Sequence, residues 1–291
     1  MIVFNAKNGS PLISIGMPVY NGAETIEAAI QCILHQSFTD FELIISDNAS
    51  TDNTETICEK YAVLDDRVQY FRHHVNSGAG NNFNFVLDKA KAKYFVWAAS
   101  DDVRSLDFLE INHSFLEVNL DYIASTCPTR FEGDTFNSNL MGDASLEGDI
   151  HERFVSFFNS WHANGRFYSL FRTSALKNIS YLDSNFIGAD WALMLSIIKM
   201  GKTHRCNKGF VVLGKAGFSN SGTILKYYRR SLIHYLFPFY ELIIATVAMS
   251  EDFPYRSKLR IYYALMKLNW KAIKQSAIIE IKKIYARKLE F

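Results

Sequence analysis

Residues 12–46 read LISIGMPVYNGAETIEAAIQCILHQSFTDFELIIS. An apolar run rich in β-branched side chains, Leu12 to Val19, is followed by a segment whose Ile26, Ile30, Ile33 and Leu34 share one helical face. Asn21 can cap that helix, with Glu24 three residues on as a capping-box variant. A second apolar run, Phe41 to Ser46, then reads as a strand. Strand, helix and strand in this spacing describe a parallel pair joined by a helical crossover.

The same alternation continues outward. NASTDNTETICEKYA (48–62) reads as a turn and helix with Ser50 or Thr51 as cap. VQYFRH (68–73) is a strand, NNFNFVLDKAKA (81–92) a helix and YFVWAAS (94–100) a strand. The fold class that follows is α/β, a mostly parallel, Rossmann-like sheet with helices on both faces. Ligands of such sheets bind outside the carboxyl ends of the strands. Three strand ends carry polar groups there: Pro18-Val19-Tyr20-Asn21, Ser46-Asp47-Asn48 and Ser100-Asp101-Asp102.

From about 122 to 225 the alternation loosens. YIASTCPTRF (122–131) reads as one strand, DTFNSNLMGDASLEGD (134–149) as loop, and HERFVSFFNSW (151–161) as helix. NGRFYSLFRTSAL (164–176) gives a turn, an extended segment and a helix start. GADWALMLSIIKMGK (188–202) opens a helix with Asp190, and HRCNKGFVVLGKAGFSNSG (204–222) gives two short strands and a Gly/Ser loop. From Leu225 on the pattern is helical, aromatic and basic. The expected organisation is a domain over 1–225, with halves 1–121 and 122–225, and a helical extension over 226–291.

Composition narrows the classes. The 291 residues are 48% hydrophobic, enough for a large core, and Gly and Pro total only 20, which argues against disorder. Net charge is +1, but residues 226–291 hold 13 Lys/Arg against 5 Asp/Glu, leaving 18 against 25 in the rest. An acidic body with a basic tail suggests solvated helix faces, a homo-oligomer contact, or an anionic membrane surface under the tail. Near-neutrality of the whole chain argues against nucleic acid. Cys32, Cys58, Cys127 and Cys206 form no C-x-x-C pair, which points to a reducing compartment and no structural zinc. The opening MIVFNAKNGSPLISI lacks the basic start and long apolar run of a signal peptide, and no stretch of about 18 apolar residues reads as a membrane span. The expected setting is cytoplasmic, with peripheral contact at the inner face of the membrane.

Asp101 and Asp102 raise a chemical question, because adjacent like charges repel unless a cation intervenes. A hard divalent ion, Mg²⁺ or Mn²⁺, takes one or two carboxylates and completes its shell with water and phosphate oxygens. The pair therefore reads as a turn or cap, or as one side of a metal–diphosphate site. A dinucleotide oxidoreductase would need G-x-G-x-x-G after the first strand. Here Met17-Pro18-Val19-Tyr20 stands at that turn, and the nearby Gly78-Ala79-Gly80 is followed by Phe83 where the third glycine belongs.

Taken in order, SIGMPVYNGAETIEAAIQCILHQSFTDFELIISDNASTDNT and NSGAGNNFNFVLDKAKAKYFVWAASDD resemble the nucleotide-sugar-binding half of family 2 glycosyltransferases of the GT-A fold. The resemblance covers residues 12 to about 110 closely and reaches about 220 more loosely. It implies an inverting transferase that moves a sugar from a nucleoside-diphosphate sugar to a hydroxyl of a glycan or lipid-linked acceptor, with bacterial surface polysaccharide as the family's usual setting. By this resemblance Pro18, Tyr20 and Asn21 line the nucleotide pocket, Asp47 contacts the base, and Asn82 and Ser100 border the pocket. Asp102 would hold the metal, and Asp101 the ribose or the metal. Asp190 would be the catalytic base, with Trp191 and Arg166 on the acceptor side and Gly217–Gly222 a loop near the diphosphate. Ala99 stands where the family usually has the first acid of its D-x-D or D-x-D-D motif. That departure admits a second reading, a degenerate member that binds nucleotide-sugar or glycan without catalysis.

Overall fold

In a computed structural model of the chain, residues 10–160, 162–177, 179, 186–215, 228 and 231–289 are described, with side chains to Ile278. The elements run β1 (Ile13–Val19), α1 (Ile26–Leu34), β2 (Phe41–Asp47), α2 (Thr54–Leu64), β3 (Val68–Arg72), α3 (Ala79–Lys89) and β4 (Tyr94–Trp97). Then come β5 (Val103–Arg104), α4 (Phe108–Val118), β6 (Tyr122–Thr126), β7 (Thr129–Phe131), α5 (Ser138–Met141) and α6 (Ile150–Phe157). A 3-10 turn (Gly165–Tyr168) leads into β8 (Leu170–Arg172), α7 (Thr173–Leu176), α8 (Ala189–Ile198), β9 (Lys202–Arg205) and β10 (Val211–Leu213). Three helices follow, α9 (Ile233–Leu236), α10 (Tyr240–Met249) and α11 (Tyr255–Leu289).

The central sheet has the order β3-β2-β1-β4-β8-β6-β9. β1 pairs parallel with β2 and with β4, in registers that set Ile13 beside Phe41 and beside Tyr94. Every residue of β1 and β2 is buried, which is why their sequences read as apolar runs rather than as alternations. β8 enters antiparallel between β4 and β6, and β9 returns parallel to β6. The α/β architecture is as expected.

Because the chain runs β1-β2-β3 to one side and then crosses to β4 on the other, strand order reverses at β1. Such a reversal leaves a crevice at the carboxyl ends of the central strands. Residues 122–131 are not one strand: β6 lies in the central sheet, and β7 joins a second, three-stranded sheet, β5-β10-β7. The break falls at Cys127-Pro128, where proline has no N–H to continue a ladder. α1 begins at Ile26 after Thr25, and neither this helix nor α2 has a side-chain cap bond. Asn21, expected as a cap, instead accepts hydrogen bonds from the Thr51 backbone N–H and hydroxyl.

The C-terminal helices share a core with residues 123–198. Ile261, Leu265, Leu268 and Ala272 of α11 are buried in one cluster with Phe154, Phe157 and Trp191. Asn269 ties α11 to the start of α10 by accepting from Phe239 N at 3.0 Å. Gly217–Gly222 lies outside the described residues.

Candidate functional site

A cavity of about 600 Å³ opens at the carboxyl ends of β1 and β4, a size suited to a nucleotide-sized ligand. Pro18, Val19 and Tyr20 border it from the end of β1, Asn82 and Phe83 from α3, and Ala99 to Asp102 from the end of β4. Asn164, Phe167 and Tyr168 come from the 3-10 region, and Gly188 to Asp190 from the start of α8.

The acid pair is held by both sheets. β5 begins immediately after Asp102, and β10 runs beside it into Gly214. Asp102 is 4% exposed and accepts N–H groups from Ala99 at 3.2 Å and Gly214 at 3.4 Å. Burial pushes its carboxyl up to about 6; the guanidinium of Arg104, 3.7 Å away, pulls down, and the charge of Asp101 pushes further up. Asp101 is the more open of the two. Its carboxylate lies so close to Gly214 that a Cβ there would come to 2.0 Å from it, so any larger residue at 214 would have to displace the Asp101 side chain.

These groups suit the protein side of a hard-cation site. They are oxygen donors, adjacent, at the cavity wall, and one of them is so desolvated that its charge stays costly even beside Arg104. Among the described residues no group of three or more His, Cys, Asp or Glu forms a complete metal cage. A divalent ion here would draw the rest of its shell from phosphate and water.

Asp190 stands in the first turn of α8, after Gly188, whose φ of +85° favours glycine. Its side chain is open to the cavity but walled by protein elsewhere, and this partial desolvation raises its pKa. A hydrogen bond from Asn164 Nδ2 to Oδ2 at 2.9 Å opposes that shift, as do the helix-start amides. Asn164 also donates to Asp190 O at 3.0 Å, which fixes the amide orientation, because both partners are acceptors. Its own backbone is left-handed, φ +56°, and its N–H donates to His162 Nδ1 at 3.0 Å. His162 Nε2 in turn donates to Phe157 O. Burial lowers His162 to about 3, so the ring is neutral in that tautomer. Asp190 is thus oriented by a fixed relay from α6.

Tyr168 lines the same cavity as Asp101, Asp102 and Asp190. Burial first, then the charges of Asp102, Asp101 and Asp190, holds its phenol well above the usual range and so protonated. Neither Asn164 nor Tyr168 was singled out from sequence; the only signal was their place in NGRFYSLF, on the acceptor-side segment.

Other expected residues lie elsewhere. Asp47 is fully buried and does not line the cavity; its carboxylate accepts from Ser50 N and Tyr70 Oη at 2.8 Å each. Its neighbour Asn48 reaches the cavity instead. Asn21 is spent on Thr51, and Asn82, although on the wall, donates to Val19 O and Ser46 O and so ties β1 to β2. Arg166 is 4% exposed, donates to Ala144 O, and sits over Phe157. Trp191 stacks on His162 at 4.2 Å within the core rather than on the cavity wall. Pro18, Tyr20, Asn82, Ser100, Asp101, Asp102 and Asp190 do share the cavity.

Comparison with known proteins adds three findings. A family model, "Glycosyl transferase family 2", matches residues 14–180. The GalNAc(5)-diNAcBac-PP-undecaprenol beta-1,3-glucosyltransferase of Campylobacter jejuni is 26% identical over 272 residues, covering 90% of this chain and 86% of that protein. Among solved structures, S. aureus TarS 1-349 superposes with a TM-score of 0.61 at 18% identity, over 92% of this chain and 91% of that one. TarS is also solved with UDP-GlcNAc. The mannosyltransferase PcManGT of Pyrobaculum calidifontis, in complex with GDP-Man and Mn²⁺, gives a TM-score of 0.54 at 15% identity over 96% of this chain and 81% of that one. These structural likenesses carry the GT-A fold.

Proposed function

The chain belongs to glycosyl transferase family 2, and on that premise we propose that it is an inverting transferase. It would take a sugar from a nucleoside-diphosphate sugar and add it to a hydroxyl of a glycan or lipid-linked acceptor, in the synthesis of a bacterial surface polysaccharide. What carries this reading is that the acid pair Asp101-Asp102 and the oriented carboxylate of Asp190 share one cavity. The UDP-GlcNAc held in the TarS complex supports a nucleotide-sugar donor, and the undecaprenol-linked glycan in the name of the Campylobacter relative supports a lipid-linked acceptor. We locate the reaction at the inner face of the membrane.

In this reading Asp190 accepts the proton of the acceptor hydroxyl as its oxygen attacks the anomeric carbon. The new C–O bond forms on one face while the bond to the diphosphate breaks on the other, so configuration inverts without a covalent sugar–enzyme intermediate. The raised pKa of Asp190 makes it a stronger base than a solvated aspartate, and Asn164 keeps one carboxylate oxygen fixed. Tyr168, held protonated, can donate to a donor or acceptor oxygen in the same cavity. Pro18, Tyr20 and Asn48 provide the nucleotide wall, and Trp191 and Arg166 support the acceptor side from within the core. Asp102 and Asp101 would hold Mn²⁺ or Mg²⁺, which when bound offsets charge on the diphosphate leaving group.

Ala99 on the wall favours one rival, a binding-only member of the fold. Incubating the chain with a nucleotide-sugar panel, Mn²⁺ and a polyprenyl-diphosphate glycan acceptor separates the two. Release of nucleoside diphosphate, with a product of inverted anomeric configuration by NMR, is expected. Retention of configuration, or saturable binding with no release from any donor, would contradict the proposal.

A further inference from the structure

The surface of α11 opposite the core has a composition that packing does not explain. Helical spacing puts Tyr255, Leu259, Tyr263, Met266 and Trp270 in one stripe. They are 74%, 49%, 71%, 52% and 59% exposed, so the stripe is open along about 23 Å of helix. The inward stripe, Ile261, Leu265, Leu268 and Ala272, is already buried, so the outer one is surplus to folding. Directly beside it, Arg256, Arg260, Lys267, Lys271 and Lys274 form a basic stripe, all exposed. Residues 255–279 contain no Asp or Glu.

We propose that this face of α11 docks on an anionic lipid surface. An apolar stripe with aromatic residues, flanked by basic side chains and lacking acids, is the pattern that lies in the plane of a lipid headgroup layer. Tyr and Trp favour that layer because their rings are apolar with a polar edge. Lys and Arg beside them meet the negative surface potential of anionic lipid. Among the described residues no helix is long and apolar enough to cross a membrane, so α11 rests on the surface. α9 packs against α11 and carries Tyr235 and Leu236, both exposed.

The placement serves the site already described, and this consequence rests on the transfer reading. α10, which α11 holds through Asn269, packs on α8. Leu242 and Phe239 lie against Gly188, two residues before Asp190. A chain seated on lipid through α11 therefore has the start of α8 and the acceptor side of the cavity mechanically tied to its docking face.

The test is flotation of the full chain with phosphatidylglycerol/phosphatidylcholine vesicles and with pure phosphatidylcholine vesicles, without donor or acceptor, so that it stands apart from transfer. Binding to the anionic vesicles is expected, weakening as salt rises. The triple variant Arg260→Glu, Lys267→Glu, Lys271→Glu should lower partitioning by at least about tenfold. Tyr263→Ser with Trp270→Ser should also lower it, and thermal melting checks that each variant folds. Absence of flotation, equal flotation on neutral vesicles, or flotation unchanged in both variants overturns the proposal. So does a stable dimer in solution that Leu259→Glu dissociates, which would assign the stripe to a second copy of the chain.

Discussion

Replacing Asp102 by Asn should make the metal-free chain more stable at pH 8 while weakening metal-dependent nucleotide binding. Asp102 is 4% exposed, and its carboxyl is raised from 3.8 to about 6. A shift of about two units corresponds to about 3 kcal/mol carried against folding whenever the group is ionised. The folded-state value lies above the unfolded one, so the folded chain binds the extra proton. The penalty is therefore complete above about pH 6 and fades as pH falls towards 4. The amide is a weaker acceptor for the Ala99 and Gly214 N–H groups and leaves Arg104 without its carboxylate at 3.7 Å. Allowing for those losses, the net gain at pH 8 is about 1–2 kcal/mol, or a melting temperature higher by a few degrees. Thermal denaturation of both proteins in chelator from pH 4 to 8 measures it. Adding Mn²⁺ and nucleoside diphosphate should then stabilise the natural chain and not the variant. A variant less stable than the natural chain at pH 8, or a difference that does not shrink between pH 7 and 4, would refute the reasoning.

Two further outcomes follow from the hydrogen bonds. Asn164→Ala removes a bond that lowers the Asp190 pKa, so the acidic limb of the pH–rate profile should move to higher pH and kcat should fall while donor KM stays near its natural value; an unmoved limb would show that Asn164 does not act through Asp190. Asp47→Ala orphans the Tyr70 hydroxyl and the Ser50 N–H inside the protein, so at about 1–3 kcal/mol for each unsatisfied buried donor, chemical denaturation should show a loss of about 2–6 kcal/mol. A stable variant with only weakened nucleotide binding would instead give Asp47 the base contact expected from sequence.

The sheet was legible because β1 and β2 are buried on both faces, which forces unbroken apolar runs, and because α1 buries Ile26, Ile30 and Ile33 on one face. The acid pair stood out because strand ends are where an open α/β sheet presents side chains, whereas Asp190 came from the family resemblance, since an acid at a helix start reads by itself as a cap or first-turn residue. What failed was direction. A polar residue at a strand end can turn outward to the cavity, as Asp101 does, or inward to its own turn, as Asp47 does, and local spacing is the same for both. Trp191 and Arg166 sit beside the site in sequence, but the stacking on His162 and the bond to Ala144 O that bury them are tertiary. Asn164 and Tyr168 escaped notice for the converse reason. Their roles arise when a 3-10 turn meets the start of α8 from more than 20 residues away along the chain. The reading of 122–131 as one strand missed the change of sheet because a three-residue strand such as β7 carries too little pattern to be told from its neighbour.

The central claim is that Asp190 is the base in a donor cavity built at the ends of β1 and β4. Asp190→Asn keeps size and the contact with Asn164 while removing basicity, so nucleotide affinity by titration calorimetry should stay within about twofold. Sugar transfer by the same preparation should fall by about 10²–10⁴-fold. Transfer within tenfold of the natural chain, at unchanged nucleotide affinity, would contradict the account.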